Sequence, residues 1–211
     1  MSLADIRTDY QRASLSEDQV NADPLKQFSI WFQEALDSKV NEPNAMSLST
    51  ANANGRPSSR IVLIKDLDQR GITWFTHYAS RKGEELAANP HAALLFFWPE
   101  LERQVRIEGK VERVGDIDND TYFNSRPLAS RHGALASQQS KVIANRSLLE
   151  QRVEEIRVQH GEKVQRPDHW GGYRLVPDYF EFWQGRSSRL HDRIVFARNE
   201  HGVWERSRLQ P

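Results

Sequence analysis

The sequence predicts a mainly β protein with flanking helices (α+β), built on an antiparallel barrel or sandwich. Three observations predict it. Between Met46 and Val114, five stretches of period-two hydrophobicity follow one another within fewer than seventy residues, mostly joined by short turns. A strand pattern returns at Tyr173 and runs almost to the end. The intervening segment, from Asp116 to about His160, reads as helical.

Residues 1–22 are polar and weakly periodic, an arm that is either flexible or laid over something else. Asp23-Pro24 opens a helix, with Asp23 as N-cap and Pro24 at the first helical position. Leu25, Phe28, Trp31 or Phe32, Ala35 and Leu36 recur at helical spacing and place one face on a core; the helix ends before Pro43. Met46–Ala51 and Ser58–Leu67 form a hairpin around Asn52–Gly55, and a turn at Asp68–Gly71 leads to a third strand, Ile72–His77. A short helix, Arg81–Ala88, lies between Ser80 and Pro90. Two strands follow, Ala92–Trp98 and Leu101–Val114; in the second, Val105, Ile107, Gly109 and Val111 alternate with charged residues. After the helical segment, strands at Tyr173–Val176, Tyr179–Gln184, Arg193–Arg198 and Val203–Arg208 complete the sheet, so that 23–211 reads as a single domain.

Composition narrows the function. Lys and Arg total 29 and Asp and Glu total 29, so the net charge is zero and no whole-chain electrostatic argument favours nucleic acid or an anionic membrane. The absence of Cys excludes disulfides, thiolate metal sites and a cysteine nucleophile. No apolar run approaches the roughly 18 residues of a membrane span, and the first ten residues lack the hydrophobic stretch of a secretory signal, so a cytoplasmic location is expected. Dinucleotide, P-loop, zinc-helix and nucleophile-elbow motifs are all missing, and no metal is expected.

What remains is a set of local cationic clusters. Ser80-Arg81-Lys82 stands at a helix start, where cations oppose the helix dipole unless an anion joins them; a solvated first turn is the alternative. In Arg60–Lys65 each strand face carries one cation beside apolar residues, so each needs an anionic partner if both faces are buried, or else snorkels to water. Between Asp120 and Glu150 there is no carboxylate, yet Arg126, Arg131, Lys141 and Arg146 lie there; Tyr122 and Arg126, four apart, offer a hydroxyl and a forked guanidinium to one phosphate, with Ser130 in the next turn, and ordinary packing of Tyr122 with an exposed Arg126 is the alternative. The last cluster, Phe180 to Arg193, joins an aromatic strand to a loop with three Arg and one His, a combination suited to holding a planar heterocycle.

The stretch F-E-F-W-Q-G-x-x-x-R-L-H-D-R, from Phe180 to Arg193, resembles the C-terminal motif of the pyridoxamine 5′-phosphate oxidase family. R-I-V-L-I-K at Arg60–Lys65, S-R-K at Ser80–Lys82, L-E-R-Q-V at Leu101–Val105, Y-F-x-S-R-P at Tyr122–Pro127 and W-G-G-Y-R at Trp170–Arg174 are similar to the same family in the same order, and the likeness extends from Ile6 to Pro211. It implies an FMN-binding, Greek-key split barrel, a homodimer with the flavin at the subunit interface. It also implies oxidation of pyridoxamine or pyridoxine 5′-phosphate by O2 to pyridoxal 5′-phosphate and hydrogen peroxide, with ammonia from the amine.

Carried over by position, the FMN contacts fall on Arg60, Ile61, Val62, Leu63, Ile64, Lys65, Phe75, Thr76, Arg81, Lys82, Gln104, Gln139, Ser140, Trp183 and Arg193. The substrate phosphate meets Lys65, Tyr122, Arg126 and Ser130. Arg189, Leu190 and His191 lie at the pyridine ring, Arg189 and His191 as the catalytic pair, and Arg7 and Tyr10 of the arm close over the site. Position 75 is Phe where some relatives have Tyr, which removes one flavin hydrogen bond if that contact runs through the hydroxyl. A non-catalytic FMN-binding split barrel and a flavin reductase-like enzyme are the rival expectations; the full phosphate set at Lys65, Tyr122, Arg126 and Ser130 stands against both.

Overall fold

Asp23 caps the first helix as expected. In the computed structural model, which describes residues 2–211, its carboxylate accepts a hydrogen bond from Leu25 N at 2.9 Å, and α1 runs Pro24–Asp37. Leu25, Phe28, Trp31 and Ala35 are buried, whereas Leu36 falls on the solvent side. The nine strands are β1 (Ala45–Ala51), β2 (Pro57–Leu63), β3 (Asp66–Asp68), β4 (Gly71–His77), β5 (His91–Trp98), β6 (Arg103–Arg113), β7 (Trp170–Gln184), β8 (Asp192–Arg198) and β9 (Trp204–Arg208). All pairings are antiparallel, in the order β2-β1-β5-β6-β7-β4-β3, with β8 and β9 continuing from β7. β1 beside β5 and β4 beside β7 are the long-range pairings of a Greek key rather than a meander.

Three elements differ from the sequence expectation. The expected strand Ser58–Leu67 breaks into β2 and β3 at Ile64-Lys65. Ile64 N donates to Asn44 O (3.0 Å) and Lys65 N to Thr73 O (2.9 Å). Because β2 and β3 end opposite sides of the strand order, the sheet curls until its two edges meet at these residues.

The expected strands Tyr173–Val176 and Tyr179–Gln184 are one strand of 15 residues, β7. One edge of β7 pairs with β6 from Tyr173 to Gln184, with a register shift at Glu108/Gly109. The other edge is shared: its start pairs with β4 as far as Leu175, and its end with β8 from Tyr179. Pro177 sits in the hand-over between them, so its missing N–H costs no ladder bond to either. Gly109 is required opposite it, since a Cβ there would lie 2.1 Å from Val176 O.

The expected helical segment 116–160 is three helices, α3 (Asp116–Ser125), α4 (Leu128–Ala136) and α5 (Arg146–His160), preceded in the chain by α2 (Arg81–Ala88). Pro127 disfavours helical backbone at Arg126, which is extended, and this separates α3 from α4. The main core lies between α1 and the curled sheet, around Phe28, Trp31, Phe96, Trp98, Phe180 and Phe182, and includes Leu15 and Val20 of the arm. A smaller core of Phe123, Val164 and Trp170 seats α3 and α4 on the start of β7. Among the described residues no helix is long and apolar enough to cross a membrane.

Candidate functional site

The sheet closure and the α3–α4 pair flank a cleft of about 840 Å³. β2 and the residues after it contribute Arg60, Ile61, Val62, Leu63 and Lys65; β4 contributes Phe75 and Thr76; α2 contributes Lys82. Tyr122, Arg126 and Ser130 come from α3, its end and α4, and Gln139 from the following loop. Ile64 is an exception in the 60–65 run, because its side chain is buried in the main core.

Arg81 and Ser140 join Ser58, Ser59, Arg60 and Lys82 around a smaller hollow of about 200 Å³ at the start of α2. Ser80, the N-cap, makes no side-chain capping bond, so the first amides of α2 lack that partner. Ser140 has a left-handed backbone (φ 72°), a conformation that non-glycine residues keep mainly where the surroundings impose it. The alternation argument for the 60–65 run divides in the structure. Arg60 has a buried anionic partner, Glu85, at 3.3 Å and further bonds to Thr50 Oγ1 (2.6 Å) and Leu48 O (3.0 Å), while Lys65 is exposed at the cleft.

Lys82 is buried among neutral acceptors: Gln139 Oε1 (2.8 Å), Thr76 Oγ1 (3.2 Å) and Ser80 Oγ (3.3 Å). Desolvation, aided by Arg60, lowers its pKa to about 8 from 10.5. Between those values the folded protein binds fewer protons than the unfolded chain, so stability rises with pH across this window. The rise expected in the ligand-free protein is on the order of 3 kcal/mol. Denaturant midpoints between pH 7.5 and 11 check it: Lys82→Met removes the rise, and an unchanged slope in that variant would contradict the assignment.

The opposite wall is aromatic. Phe75 stacks on Tyr122 with ring centres 3.9 Å apart and lies nearly parallel to Trp170 at 5.6 Å. A Cβ at Gly172 would stand 2.9 Å from the Phe75 ring, which explains a glycine in W-G-G-Y-R. Arg126 lies over Trp170 at 4.6 Å, and its Nη1 is buried with no acceptor among the described residues. Desolvation lowers its pKa, opposed by Tyr122. The expected shared helix face is not how Tyr122 and Arg126 meet, since Arg126 is the extended residue after α3; both nevertheless line the cleft. Sequence reasoning missed His77 and Trp170 in this wall. His77 follows Phe75 by two on β4, the spacing that places both on one strand face, and Trp170 opens a motif already singled out.

The other expected site residues gather elsewhere. Tyr10 packs edge-on against Trp183 (5.7 Å) and near His191 (6.0 Å), whose rings are 4.6 Å apart. Gly185 permits this, because a Cβ there would lie 2.7 Å from Tyr10. Gln104 pairs with Trp183 across β6 and β7. Arg193 forks onto Glu181 (2.8 and 3.1 Å). His191 Nδ1 accepts from Arg186 N at 3.1 Å, and burial followed by Arg189 lowers the imidazole pKa, against Asp192. Arg189 and Leu190 are exposed, with Ser188 and Arg189 both left-handed (φ 55° and 60°). Arg7 is exposed and bonds Ala4 O.

These two groups stand at opposite ends of β7: Trp170 belongs to the cleft and Trp183 to the Tyr10–His191 cluster. At about 3.3 Å per residue, the strand between them is about 40 Å measured along its length. The cleft itself offers two anion-sized positions, the α2 hollow and the Lys65–Arg126 side, beside stacked aromatic rings: features that suit a planar ligand carrying phosphate.

Residues 32–160 match the family described as pyridoxamine 5′-phosphate oxidase, and residues 170–211 match the pyridoxine 5′-phosphate oxidase C-terminal dimerisation region. The chain is 64% identical to the pyridoxine/pyridoxamine 5′-phosphate oxidase of Janthinobacterium sp. (strain Marseille), over 100% of both chains. Among solved structures it is similar to PhzG from Burkholderia lata 383 in complex with tetrahydrophenazine-1-carboxylic acid, at 33% identity and a TM-score of 0.90 over 95% of this chain and 99% of that one. It also shares the fold of a pyridoxamine 5′-phosphate oxidase-related, FMN-binding protein from Nostoc punctiforme PCC 73102, at 16% identity and a TM-score of 0.72 over 90% and 98% of the two chains.

Proposed function

The chain belongs to the pyridoxamine 5′-phosphate oxidase family, and from that membership we propose that it oxidises pyridoxine or pyridoxamine 5′-phosphate with O2, using FMN, to give pyridoxal 5′-phosphate and hydrogen peroxide, the amine also consuming water and releasing ammonia. The observation that carries the reading is the cleft's paired cationic positions: among the described residues, Lys82 is buried with no carboxylate bonded to it, and Arg126 has a buried nitrogen with no acceptor. Two phosphoesters, cofactor and substrate, would neutralise the two. The residues present therefore fit FMN. Arg60, Arg81, Lys82 and Ser140 would hold its phosphate at the α2 hollow, and Ile61, Val62, Leu63, Lys65, Phe75, Thr76 and Gln139 would meet the rest. FMN, when bound, takes two electrons from the exocyclic 4′ carbon and passes them to O2.

The chain's own part is alignment. Lys65, Tyr122, Arg126 and Ser130 would anchor the substrate phosphate. His191 accepts at Nδ1, so its neutral ring carries the proton on Nε2 and would present a donor to the oxygen beside the reacting carbon. Arg189 and Leu190 would border the pyridine, with Arg7 and Tyr10 above. Since Trp183, Arg189, His191 and Arg193 lie at the far end of β7, they would serve the cleft of a second copy, together with Gln104. The match of residues 170–211 to a dimerisation region supports that arrangement.

The likeness to PhzG favours a second reading, a reduced heteroaromatic carboxylate as substrate. One experiment separates them. FMN-loaded protein is supplied in air with pyridoxine 5′-phosphate, pyridoxamine 5′-phosphate or a dihydro-heteroaromatic acid, and peroxide and aldehyde are followed. Peroxide with aldehyde from the phosphates alone is the expected result; turnover of the acid alone would replace the proposal.

A further inference from the structure

Glu85 is 5% exposed and does not line the α2 hollow, yet it touches the residues that do. Its carboxylate accepts from Thr50 Oγ1 on β1, from Ser58 Oγ (2.6 Å) and Arg60 Nη2 (3.3 Å) on β2, and from Arg81 Nε (2.9 Å) on its own helix. Thr50 Oγ1 in turn accepts from Arg60 Nη1 at 2.6 Å. One buried carboxylate thus ties three elements together and fixes two guanidiniums at the mouth of a cationic hollow. Burial alone would raise its pKa, but the bonds from Ser58, Thr50 and Arg81 hold it at about 2, so it is ionised at neutral pH.

We propose that Glu85 is a positioning residue for the cofactor-phosphate site, acting through Arg60 and Arg81, whose guanidiniums it holds in the orientation that receives the FMN phosphate; the proposal rests on the FMN reading above. Two physical effects oppose each other here. Removing the carboxylate makes the hollow more positive, which by Coulomb attraction alone would tighten phosphate binding. It also frees two flexible side chains whose ordering must then be met on binding. Glu85 contacts four donors on three elements, so the ordering effect outweighs the charge effect, and the two accounts differ in sign.

The test uses flavin-free protein titrated with FMN and, in parallel, with riboflavin, reading flavin fluorescence quenching. In Glu85→Gln the FMN dissociation constant rises at least tenfold while that of riboflavin changes less than twofold, because riboflavin lacks the phosphate. Thr50→Val, which removes one of the links between Arg60 and the carboxylate and leaves the direct ion pair and the link through Ser58, shifts the FMN constant in the same direction by less. Glu85→Gln added to Arg60→Gln costs less than it does alone. FMN binding as tight as or tighter than the unmodified protein's, or an equal loss for both flavins, overturns the proposal and leaves the FMN reading standing. An unmodified protein that takes up no FMN ends that reading itself, and the proposal with it.

Discussion

Arg126→Gln is expected to lower kcat/KM for pyridoxine 5′-phosphate by about 10²- to 10⁴-fold while leaving the FMN dissociation constant within about twofold. Arg126 lines the cleft on the side away from the α2 hollow, and its Nη1 has no acceptor among the described residues. A charge-assisted hydrogen bond contributes about 1.5–3 kcal/mol, and a guanidinium makes two to one phosphate. The same contacts orient the reacting carbon, so kcat falls along with the rise in KM. Arg126→Lys keeps the charge and loses the fork, and is expected to recover only part of the activity. Steady-state kinetics with pyridoxine 5′-phosphate check this. A variant that keeps its kcat/KM would remove Arg126 from the substrate site, and one that loses FMN instead would exchange the two proposed phosphate positions.

The contrast between Arg126 and Glu85 shows where sequence reading succeeds and stops. Arg126 stood out because the carboxylate-free stretch around it offers no local anionic partner, and among the described residues its Nη1 has no acceptor. Glu85 was not, since a Glu four residues after an Arg on a short helix reads as an ordinary surface pair. Only the approach of β1 and β2 turns it into a buried hub. The fold divides the same way. Local signals placed α2 at Arg81–Ala88 and the cap of α1 at Asp23, because capping and punctuation are properties of a few neighbouring residues. The break at Ile64-Lys65 and the continuity of β7 past Pro177 were hidden. Both depend on which strands lie alongside: an unbroken alternation is cut where the sheet closes on itself, and a proline is tolerated where two partner strands hand over. The separation of the site into two groups follows from that same long strand, which no local pattern announces.

A heterodimer of one Arg126→Gln and one Arg189→Met copy is expected to recover about half of the unmodified activity, although each parent homodimer is nearly inactive. In the proposed assembly each site combines the cleft of one copy with the Trp183–His191 end of the other. The heterodimer therefore has one site carrying both defects and one carrying neither. If each copy instead completed its own site, every site in the heterodimer would carry one defect and no activity would return. Two observations favour the first arrangement: the groups stand near opposite ends of the 15-residue β7, and residues 170–211 match a dimerisation region. Co-expression with two different affinity tags isolates the heterodimer. FMN content is measured alongside, since Arg189 is exposed and in the proposed site would border the substrate ring rather than the cofactor phosphate, so its replacement should leave FMN bound. Recovery distinguishes a shared site from a merely dimeric protein, because dimerisation alone restores nothing to two defective copies.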